Sequence, residues 1–510
     1  MSDQSKYGER RGRLLISGRL VVDSEMVTGR VDERLCGSFV EHLGRTVYGG
    51  IYDPGDPASD VDGFRRDVVD LVRELGVSVV RYPGGNFVSA YNWRDGIGPR
   101  ESRPRRQDVA WKAVESNEFG LGEFMNWCLA AAVEPFLVFN LGTADVESAC
   151  QLVEYCNAST GTFWADLRRQ HGHESPFDVR LWGLGNEMDG SWQIGNLDAA
   201  SYGAKAARVA RAVKRVDPSL ELVAGGSSLH EMASFPAWDR TVLEQCYEDV
   251  DYLALHQYYP ADVVDEQSFL VSGHDLDNYV RAAIATCDYV RAHKRSRRQM
   301  SLSLDEWNVN YRHDAQAPEP WCAQPRIGEH DYTARDAVVE ADLFLSILCH
   351  ADRVRIACQS LLVNVGGPIV AEPGQPARKQ TLFEPLAVMF KAARGAVVHP
   401  VAVTGPEIAS EAYGDSPALG AVALATGTGE LMVFAVNRDV AKPIDVEVQL
   451  RGWGNVTRPR ARVLEGSKSA EVGLRELALR REENFVSVVI PPASLLAVSF
   501  ETSAAGYSSS

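Results

Sequence analysis

The sequence predicts an α/β fold, a (β/α)8 TIM barrel followed by a C-terminal all-β sandwich that is jelly-roll-like. Short β-rich apolar runs alternate with amphipathic helical stretches as far as residue 394. Eight such runs can be counted, which fits a closed barrel better than an open doubly wound sheet of about five to seven strands. Beyond residue 395 the pattern changes to short alternating strands that are broken by Gly, Pro, Asn and Asp.

The predicted barrel strands cover residues 35–40, 77–82, 135–140, 179–184, 220–225, 252–256, 300–304 and 354–358. The predicted helices between them include residues 61–75, 119–132, 198–216, 278–293 and 331–350. The predicted sandwich strands cover residues 421–425, 430–436, 444–450 and 485–490. Residues 13–22 alternate as well, and we expect them to pair with the sandwich. Residues 313–324 are interpreted as a long loop over the barrel mouth.

These patterns predict four segments along the chain. Residues 1–30 form an N-terminal segment with a strand that joins the β-sandwich, and residues 31–394 form the barrel. Residues 395–503 form the C-terminal β-sandwich. Residues 504–510 are expected to be a disordered tail.

Composition restricts the class of protein. The 510-residue chain is 45% hydrophobic, which is typical of a globular protein with a large core. A net charge of -17 argues against a nucleic-acid or anionic-membrane partner. The N-terminal residues lack an apolar signal region and no run approaches roughly 18 apolar residues, so we predict a cytoplasmic protein. Nine scattered cysteines without a CxxC pair predict reduced thiols, and no metal or cofactor is predicted.

The residues that follow barrel strands converge on one pocket. In this chain those positions are polar: Glu41, Asn86, Asn140, Asn186 with Glu187, His256 with Tyr258, and Glu306. Hydrolysis of a glycosidic bond needs one carboxyl group to protonate the leaving oxygen and a second to attack or to activate water. Glu187 and Glu306, each at the end of a predicted strand, supply such a pair. The sequence therefore predicts a glycoside hydrolase.

Each polar residue, taken alone, also has a structural explanation. Glu41 could form an ion pair with Arg45 at the barrel rim, and Glu187 could be favoured by a helix dipole. His256 could be a satisfied core histidine, and Arg81 could hold a structural ion pair. Six coincident polar strand ends make a joint structural explanation much weaker than any single one.

Several motifs resemble the α-L-arabinofuranosidases of glycoside hydrolase family 51, and the resemblance runs from about residue 13 to 500. The motifs are Glu41-His-Leu-Gly-Arg45, Arg81-Tyr-Pro-Gly-Gly-Asn86-Phe, residues 91–99, Asn117-Glu-Phe-Gly120, Gly185-Asn-Glu-Met-Asp-Gly190, Trp192-Gln-Ile-Gly195, Leu255-His-Gln-Tyr-Tyr259 and Asp305-Glu-Trp-Asn308. The Gly-Asn-Glu motif alone would indicate only the wider clan of retaining barrel glycosidases. The set as a whole narrows the resemblance to this family.

The resemblance implies a retaining, exo-acting hydrolase that removes terminal α-L-arabinofuranosyl residues. It makes Glu187 the general acid/base and Glu306 the nucleophile, with carboxyl groups about 5 to 5.5 Å apart. Arg81 would keep Glu306 ionised through its adjacent positive charge. The remaining implied site residues bind the sugar or orient the catalytic pair: Glu41, Asn86, Asn186, Trp111, His256 and Tyr258.

The resemblance also implies partners. The substrate would be an arabinose-containing oligosaccharide, and the assembly a homo-oligomer, with a hexamer as the family form. Two other classes stay open: an endo-acting glycanase on the same barrel, which would need an open cleft, and a sugar-binding protein without turnover. The retained carboxylate pair disfavours the second of these.

Two positions depart from the family pattern. Where the family reads Glu-Trp-Asn-Val-Trp-Tyr, this chain has Asn310 in place of the second tryptophan. Where the family has a glutamine after the eighth strand, this chain has Leu361, with Gln359 two residues earlier. Losing a hydrogen bond to a sugar hydroxyl could cost about 1–3 kcal/mol of discrimination. We therefore hypothesise that the pocket admits a related furanoside such as a β-D-galactofuranoside.

Overall fold

The structure is a computed structural model that describes residues 16–312, 319–454, 456–467, 473–482 and 485–502. The predicted tail at 504–510 and the part of the predicted loop at 313–318 lie outside the described residues. No helix in the described part of the chain is both long and apolar enough to cross a membrane.

The strands are, in chain order, β1 (Ile16–Asp23), β2 (Gly29–Arg30), β3 (Gly37–Phe39), β4 (Val79–Tyr82), β5 (Arg106–Asp108), β6 (Ala113–Glu115), β7 (Glu134–Phe139), β8 (Leu181–Leu184), β9 (Glu221–Ala224), β10 (Tyr252–Pro260), β11 (Ser301–Asn310), β12 (Val354–Gln359), β13 (Ile369–Val370), β14 (Arg378–Lys379), β15 (Val397–His399), β16 (Val401–Thr404), β17 (Glu407–Ser410), β18 (Gly414–Pro417), β19 (Leu419–Ala425), β20 (Glu430–Asn437), β21 (Ile444–Arg451), β22 (Val456–Glu465), β23 (Arg475–Leu477), β24 (Arg480–Arg481), β25 (Val486–Ile490) and β26 (Ser494–Thr502). The α-helices are α1 (Arg66–Leu75), α2 (Leu121–Ala131), α3 (Val146–Asn157), α4 (Phe163–Gln170), α5 (Ala199–Val216), α6 (Ala237–Cys246), α7 (Glu266–Leu270), α8 (Ser272–Lys294), α9 (Ala334–Leu348) and α10 (Phe383–Ala393).

Eight strands close into a parallel barrel in the described part of the chain, in the order β3-β4-β7-β8-β9-β10-β11-β12. One buried cluster takes an apolar residue from most of these strands and fills the interior: Phe39, Val79, Phe136, Leu181, Val223, Ala254 and Ile356. The barrel is therefore a packed core whose open positions lie at the carboxyl ends of the strands. The predicted fold class, a TIM barrel with a C-terminal strand-rich domain, is confirmed.

Beyond the barrel, two sheets pack face to face. One has the order β16-β1-β21-β25-β24, and the other the order β2-β15-β19-β20-β26-β22-β23. A separate hydrophobic cluster with Leu20, Val433, Val446 and Val488 lies between them. The N-terminal strand β1 is paired along its length with β21 and also with β16. The predicted domain boundaries at residues 30, 394 and 503 stay predictions.

Helix α1 begins later than the predicted start at residue 61. Asp60 Oδ1 accepts hydrogen bonds from the backbone N–H groups of Asp62 and Phe64, and these bonds fold the preceding residues into a turn. The helix then runs from Arg66 to Leu75 and ends at Gly76, which has φ 86°.

Strands β10 and β11 extend past their predicted ends, to Pro260 and Asn310. The extension exists because residues 257–260 pair with residues 307–310, after register shifts near Ala254 and Leu304. Tyr258 and Glu306 therefore lie within strands and not, as expected, after them, and His256 lies inside its strand and not at its end. Strand backbone holds their side chains more rigidly than a loop would.

A buried ion pair joins the sandwich to the barrel. The Arg438 guanidinium donates two hydrogen bonds to Asp342 on α9, at 2.7 and 2.9 Å, and both residues are buried. Replacing Arg438 by alanine would leave the buried carboxylate without its partner. We expect the free energy of unfolding to fall by about 3–5 kcal/mol, measured by urea denaturation.

The double variant Arg438→Met/Asp342→Leu separates charge from packing, since it removes both charges and is expected to recover most of that loss. Arg480→Ala, which breaks an exposed pair with Asp445, is the matched control and should cost about 1 kcal/mol or less. Equal losses for the exposed and the buried pair would contradict the assignment.

Candidate active site

A cavity of about 210 Å³ opens at the carboxyl end of the barrel. Its wall contains most of the residues that the sequence nominated: Glu41, Asn86, Trp111, Glu187, Tyr258 and Glu306. Sites for drug-sized ligands typically measure about 300–1,000 Å³, so this cavity has room for a smaller ligand. Asn140 does not reach it, because its amide donates to Tyr91 O and Thr143 Oγ1 at 2.9 Å.

The two carboxyl groups of the predicted catalytic pair face each other. One oxygen of Glu187 and one of Glu306 lie within 4.8 Å, and His256 contributes a ring nitrogen to the same cluster. Glu187 follows β8 in the left-handed backbone conformation, with φ 44°. This conformation is rare for a residue with a side chain and recurs at functional sites, and here it accompanies a carboxylate at the cavity.

Glu306 is 5% exposed and is held on both sides by donors. Its Oε1 accepts a hydrogen bond from Arg81 Nη1 at 2.8 Å, and its Oε2 accepts one from the Tyr258 hydroxyl at 2.8 Å. Burial raises the pKa of Glu306, whereas His256, Arg81 and Tyr258 act to lower it. The expectation that Arg81 acts on this carboxylate through its positive charge therefore agrees with the geometry, but the charge opposes a substantial cost of burial.

His256 lies behind the catalytic pair and is 4% exposed. Its Nδ1 is 3.1 Å from Glu187 Oε1 and 3.5 Å from Glu306 Oε2, and its Nε2 is 3.4 Å from Asp305 Oδ1. Burial acts to lower the pKa of the imidazole, but the three carboxylates raise it to about 10. The surrounding carboxylates therefore favour the protonated imidazolium over the neutral ring.

Arg81 and Asn186 form a second layer under the cavity. Arg81 Nη2 donates to Asn186 Oδ1 at 2.8 Å, and Arg81 Nε is 3.2 Å from Asp305. The bond from Arg81 fixes the orientation of the amide, whose Nδ2 donates to Asn86 Oδ1 and to Gln193 Oε1, each at 3.4 Å. The amide of Asn186 therefore orients Asn86, whose side chain lines the cavity.

The buried carboxyl group of Glu41 is stabilised by hydrogen bonds and not by an ion pair. Its Oε1 accepts from Phe87 N and from Trp111 Nε1, each at 2.8 Å. Burial raises the pKa of Glu41 to about 8; the two N–H donors oppose the rise and the charge of Glu306 adds to it. The alternative of a Glu41–Arg45 pair is wrong, because Arg45 pairs with Glu329 at 2.7 Å and with Glu372 at 3.2 Å.

The glycines before Asn86 allow these carboxylates to sit close together. A Cβ on Gly84, which has φ 141°, would lie 2.3 Å from Glu41 Cγ. A Cβ on Gly85 would lie 3.0 Å from Glu306 Oε1 and 3.3 Å from Glu41 Oε2. The pair of glycines is therefore needed for the close approach of the backbone to both acids.

Trp192 is a site residue to which sequence reasoning gave no role. Its indole N–H donates to Glu187 Oε2 at 2.6 Å, and the side chain is 47% exposed at the rim. The motif Trp192-Gln-Ile-Gly195 was the available signal, but it did not indicate contact with Glu187. Sequence reasoning also gave no role to Ser360. Its Oγ lies 2.6 Å from the hydroxyl of Tyr258, and that hydroxyl donates to Glu306.

Models of two families match the chain. The α-L-arabinofuranosidase 1 domain matches residues 71–281, and the α-L-arabinofuranosidase C-terminal domain matches residues 305–475. The chain is 45% identical to an intracellular exo-α-(1→5)-L-arabinofuranosidase of Acetivibrio thermocellus, over 85% of this chain and 88% of that protein. The chain belongs to the α-L-arabinofuranosidases of glycoside hydrolase family 51.

Other α-L-arabinofuranosidases agree with this assignment. An intracellular exo-α-(1→5)-L-arabinofuranosidase of Bacillus subtilis is 46% identical over 85% of this chain and 87% of its own length. The solved structure of a family 51 α-L-arabinofuranosidase from Bifidobacterium longum superposes with a TM-score of 0.89 at 40% identity, covering 95% of this chain and 99% of that one. The predictions of this family and of a glycoside hydrolase are confirmed.

The positive charge that His256 places among the predicted catalytic carboxylates has a testable effect on the pH dependence of kcat/KM. A nucleophilic carboxyl group must be ionised to attack, and the imidazolium of His256 acts to lower the pKa of Glu306, the predicted nucleophile. Replacing His256 by asparagine removes that charge, so the pKa of Glu306 should rise further. We expect the acid-side limb of the kcat/KM profile to move to higher pH. An acid limb that is unchanged or moves to lower pH would contradict this role, and the exposed His293→Asn is the control.

Proposed function

We propose that the protein is an exo-acting α-L-arabinofuranosidase that works by double displacement, with Glu306 as nucleophile and Glu187 as acid/base. The observation that carries the proposal is that one oxygen of Glu187, after β8, and one of Glu306, on β11, lie within 4.8 Å of each other in one cavity. Retaining glycosidases keep such groups about 5–5.5 Å apart, whereas inverting enzymes need about 6.5–9.5 Å for a water molecule.

In the first step, Glu306 attacks the anomeric carbon, and the bond between that carbon and the leaving oxygen breaks. The Glu187 carboxyl gives its proton to that oxygen, and an arabinofuranosyl-Glu306 ester forms. In the second step, water attacks the same carbon while the Glu187 carboxylate takes one of its protons. The ester bond breaks, Glu306 returns as a carboxylate, and arabinose leaves with its original anomeric configuration.

The surrounding residues support the two steps. Arg81 and Tyr258 hold Glu306 in one orientation, so that the attacking oxygen is positioned before the sugar binds. Trp192 donates to Glu187 at the rim, where the leaving group departs. Asn86 and Glu41 line the cavity and offer donors and acceptors to the furanose hydroxyls, and Asn186 donates to Asn86 from behind.

The size of the cavity supports exo action. An endo-acting glycanase needs an open cleft, whereas the site here is a cavity of about 210 Å³ whose wall includes Trp111, Ile327 and His330. A non-catalytic sugar-binding protein is disfavoured because both carboxylates keep donors suited to catalysis. The substrate we propose is a short arabinose-containing oligosaccharide, processed in the cytoplasm, since relatives carry intracellular names. We also propose a homo-oligomer, with a hexamer as the form to test by light scattering.

The test follows the first product by NMR. Incubation with 4-nitrophenyl α-L-arabinofuranoside should release α-arabinofuranose before it mutarotates. The sizes of the products from a 1→5-linked and a 1→6-linked oligosaccharide test exo action, which should release only monosaccharide from the start. The rates on the two oligosaccharides decide the preferred linkage, since some relatives are named for the 1→5 linkage and one for the 1→6 linkage. An inverted first product would refute double displacement, and early oligosaccharide products would refute exo action.

A further inference from the structure

Two hydroxyl groups in a row lead to the carboxyl group of Glu306. Ser360 Oγ lies 2.6 Å from the hydroxyl oxygen of Tyr258, and that hydroxyl lies 2.8 Å from Glu306 Oε2. Ser360 comes directly after β12 and is 3% exposed. Within the described ranges of the chain, Tyr258 is the one hydrogen-bond partner of Ser360 Oγ. The row therefore connects the end of β12 through β10 to the carboxylate on β11.

The direction of the two hydrogen bonds follows from the number of protons. A hydroxyl group has a single proton to donate, and an ionised carboxylate can only accept. While Glu306 is ionised, Tyr258 must donate to it, so the contact with Ser360 is a hydrogen bond only if Ser360 Oγ donates to Tyr258. Burial and the charge of Glu306 raise the pKa of Tyr258 well above its usual range, so the phenol keeps the proton that it donates.

The backbone of Ser360 is fixed to the strand that carries Glu306. The Ser360 N–H donates to Trp307 O at 3.1 Å, and the Ser360 carbonyl accepts a hydrogen bond from the side chain of Asn308. Trp307 and Asn308 directly follow Glu306 on β11. The donor at the start of the row is therefore held in register with the carboxylate at its end, before any substrate binds.

We infer that Ser360 is a positioning residue for the nucleophile: by donating to Tyr258 it strengthens the hydrogen bond from Tyr258 to Glu306 and favours the ionised, oriented carboxylate. Hydrogen bonds in a row polarise one another, so a donor to the phenol oxygen makes the phenol O–H a better donor. The effect of Ser360 reaches the carboxylate through Tyr258. This inference rests on the proposed function, in which Glu306 attacks the anomeric carbon.

Other titratable and charged groups face Glu306 from the neighbouring strands. Two cations favour its ionised form, whereas three acids and a buried thiol that stays protonated do not. The cations are Arg81 on β4 and His256 on β10, the acids are Glu41, Glu187 and Asp305, and the thiol is Cys358 on β12. None of these described groups is hydrogen-bonded to Ser360 Oγ, so replacing Ser360 leaves their contacts in place.

The experiment measures kcat/KM against pH for 4-nitrophenyl α-L-arabinofuranoside. Ser360→Ala removes the first donor of the row, so the pKa of Glu306 should rise and the acid limb should move to higher pH by roughly 0.5 unit. At pH values below the limb this shift is a loss of about threefold in kcat/KM, and the plateau should change little. Ser360→Thr keeps a hydroxyl group and should leave the limb close to its wild-type position.

Ser38→Ala is the matched control. It also removes a buried serine hydroxyl at a barrel strand, one that donates to Gln359 O at 2.8 Å and belongs to no row that leads to Glu306. The acid limb of this variant should coincide with that of the wild type. A shift as large as that of Ser360→Ala would mean that any lost hydroxyl in the barrel moves the limb, which contradicts the inference.

The same measurement in a Tyr258→Phe background tests the route of the effect. Phenylalanine has no hydroxyl group to connect Ser360 with Glu306, so adding Ser360→Ala should move the acid limb by about 0.1 pH unit or less. An equal shift in both backgrounds would mean that Ser360 acts on the sugar or on the carboxylate directly, and it would refute the role of the row.

The outcomes separate this inference from the proposed function. An acid limb that Ser360→Ala leaves unmoved, or moves to lower pH, refutes the role of Ser360, while an inactive Glu306→Gln measured beside it still supports the proposed nucleophile. A Glu306→Gln variant that keeps the activity and the acid limb of the wild type refutes the proposed function, and the inference falls with it.

Discussion

Replacing Glu306 by alanine is expected to lower kcat for 4-nitrophenyl α-L-arabinofuranoside by roughly 10⁴ to 10⁶-fold, as loss of a catalytic nucleophile does in other enzymes. The physical reason is that no other carboxylate in the described cavity is held by Arg81 and Tyr258 against the anomeric carbon. Steady-state hydrolysis by the purified variant measures the effect, and circular dichroism establishes that the variant is folded.

The alanine variant also leaves Arg81 without one of its buried partners, so a second variant is needed. Glu306→Gln keeps the size of the side chain and should show the same loss of kcat. Glu174→Ala, at an exposed pair with Arg169, is the control for handling and contaminating activity. Residual activity above about 1% in both Glu306 variants, with unchanged product configuration, would place the nucleophile elsewhere.

Azide offers a positive signal from the same variant. In Glu306→Ala the space of the missing carboxylate can admit azide, which attacks the anomeric carbon on the face that Glu306 would use. The product is then an arabinofuranosyl azide of inverted configuration. Recovery of that product would assign the nucleophile directly, independent of how much activity is lost.

The barrel strands could be predicted because they lie in short, mostly apolar runs between Gly, Pro or polar residues. Their lengths could not. In residues 257–260 and 305–310 polar side chains and one proline interrupt the apolar runs, so the sequence indicates that the strands end earlier. They are strand because the two segments pair with each other at the barrel mouth, a long-range contact that local pattern does not encode.

The site could be predicted only as far as barrel geometry dictates it. Strand ends converge, so Glu187, Glu306 and Tyr258 were expected near one another and do line one cavity. The hydrogen-bond or ion-pair partner of each side chain was harder to predict from the sequence. Trp192 reaches Glu187 because of the left-handed backbone at that glutamate, and Arg45 reaches Glu329 across two loops. Such contacts depend on loop conformation, which a spacing of residues does not specify.

Replacing Glu187 by alanine is the second large effect, and it should depend on the leaving group. A sugar alcohol leaves poorly without a proton, so kcat/KM for an arabinose-containing disaccharide should fall by about 10² to 10⁴-fold. 4-Nitrophenolate leaves readily without protonation, so kcat/KM for its glycoside should fall about tenfold or less. The second step still lacks its base, and a burst of nitrophenolate followed by slow turnover is expected.

Azide then distinguishes the two glutamates. In Glu187→Ala it needs no base to attack the arabinofuranosyl-Glu306 ester, so it should restore turnover of the aryl glycoside and give a glycosyl azide of retained configuration. The retained product, set against the inverted one from Glu306→Ala, fixes which carboxyl attacks and which transfers protons. An equal loss for both leaving groups, or an inverted azide from the Glu187 variant, would exchange the two roles and require the leaving group to depart on the side of Glu306. The hydrogen bond from Trp192 at the exposed rim would then be made to the nucleophile, whereas the proposed assignment puts it beside the departing sugar.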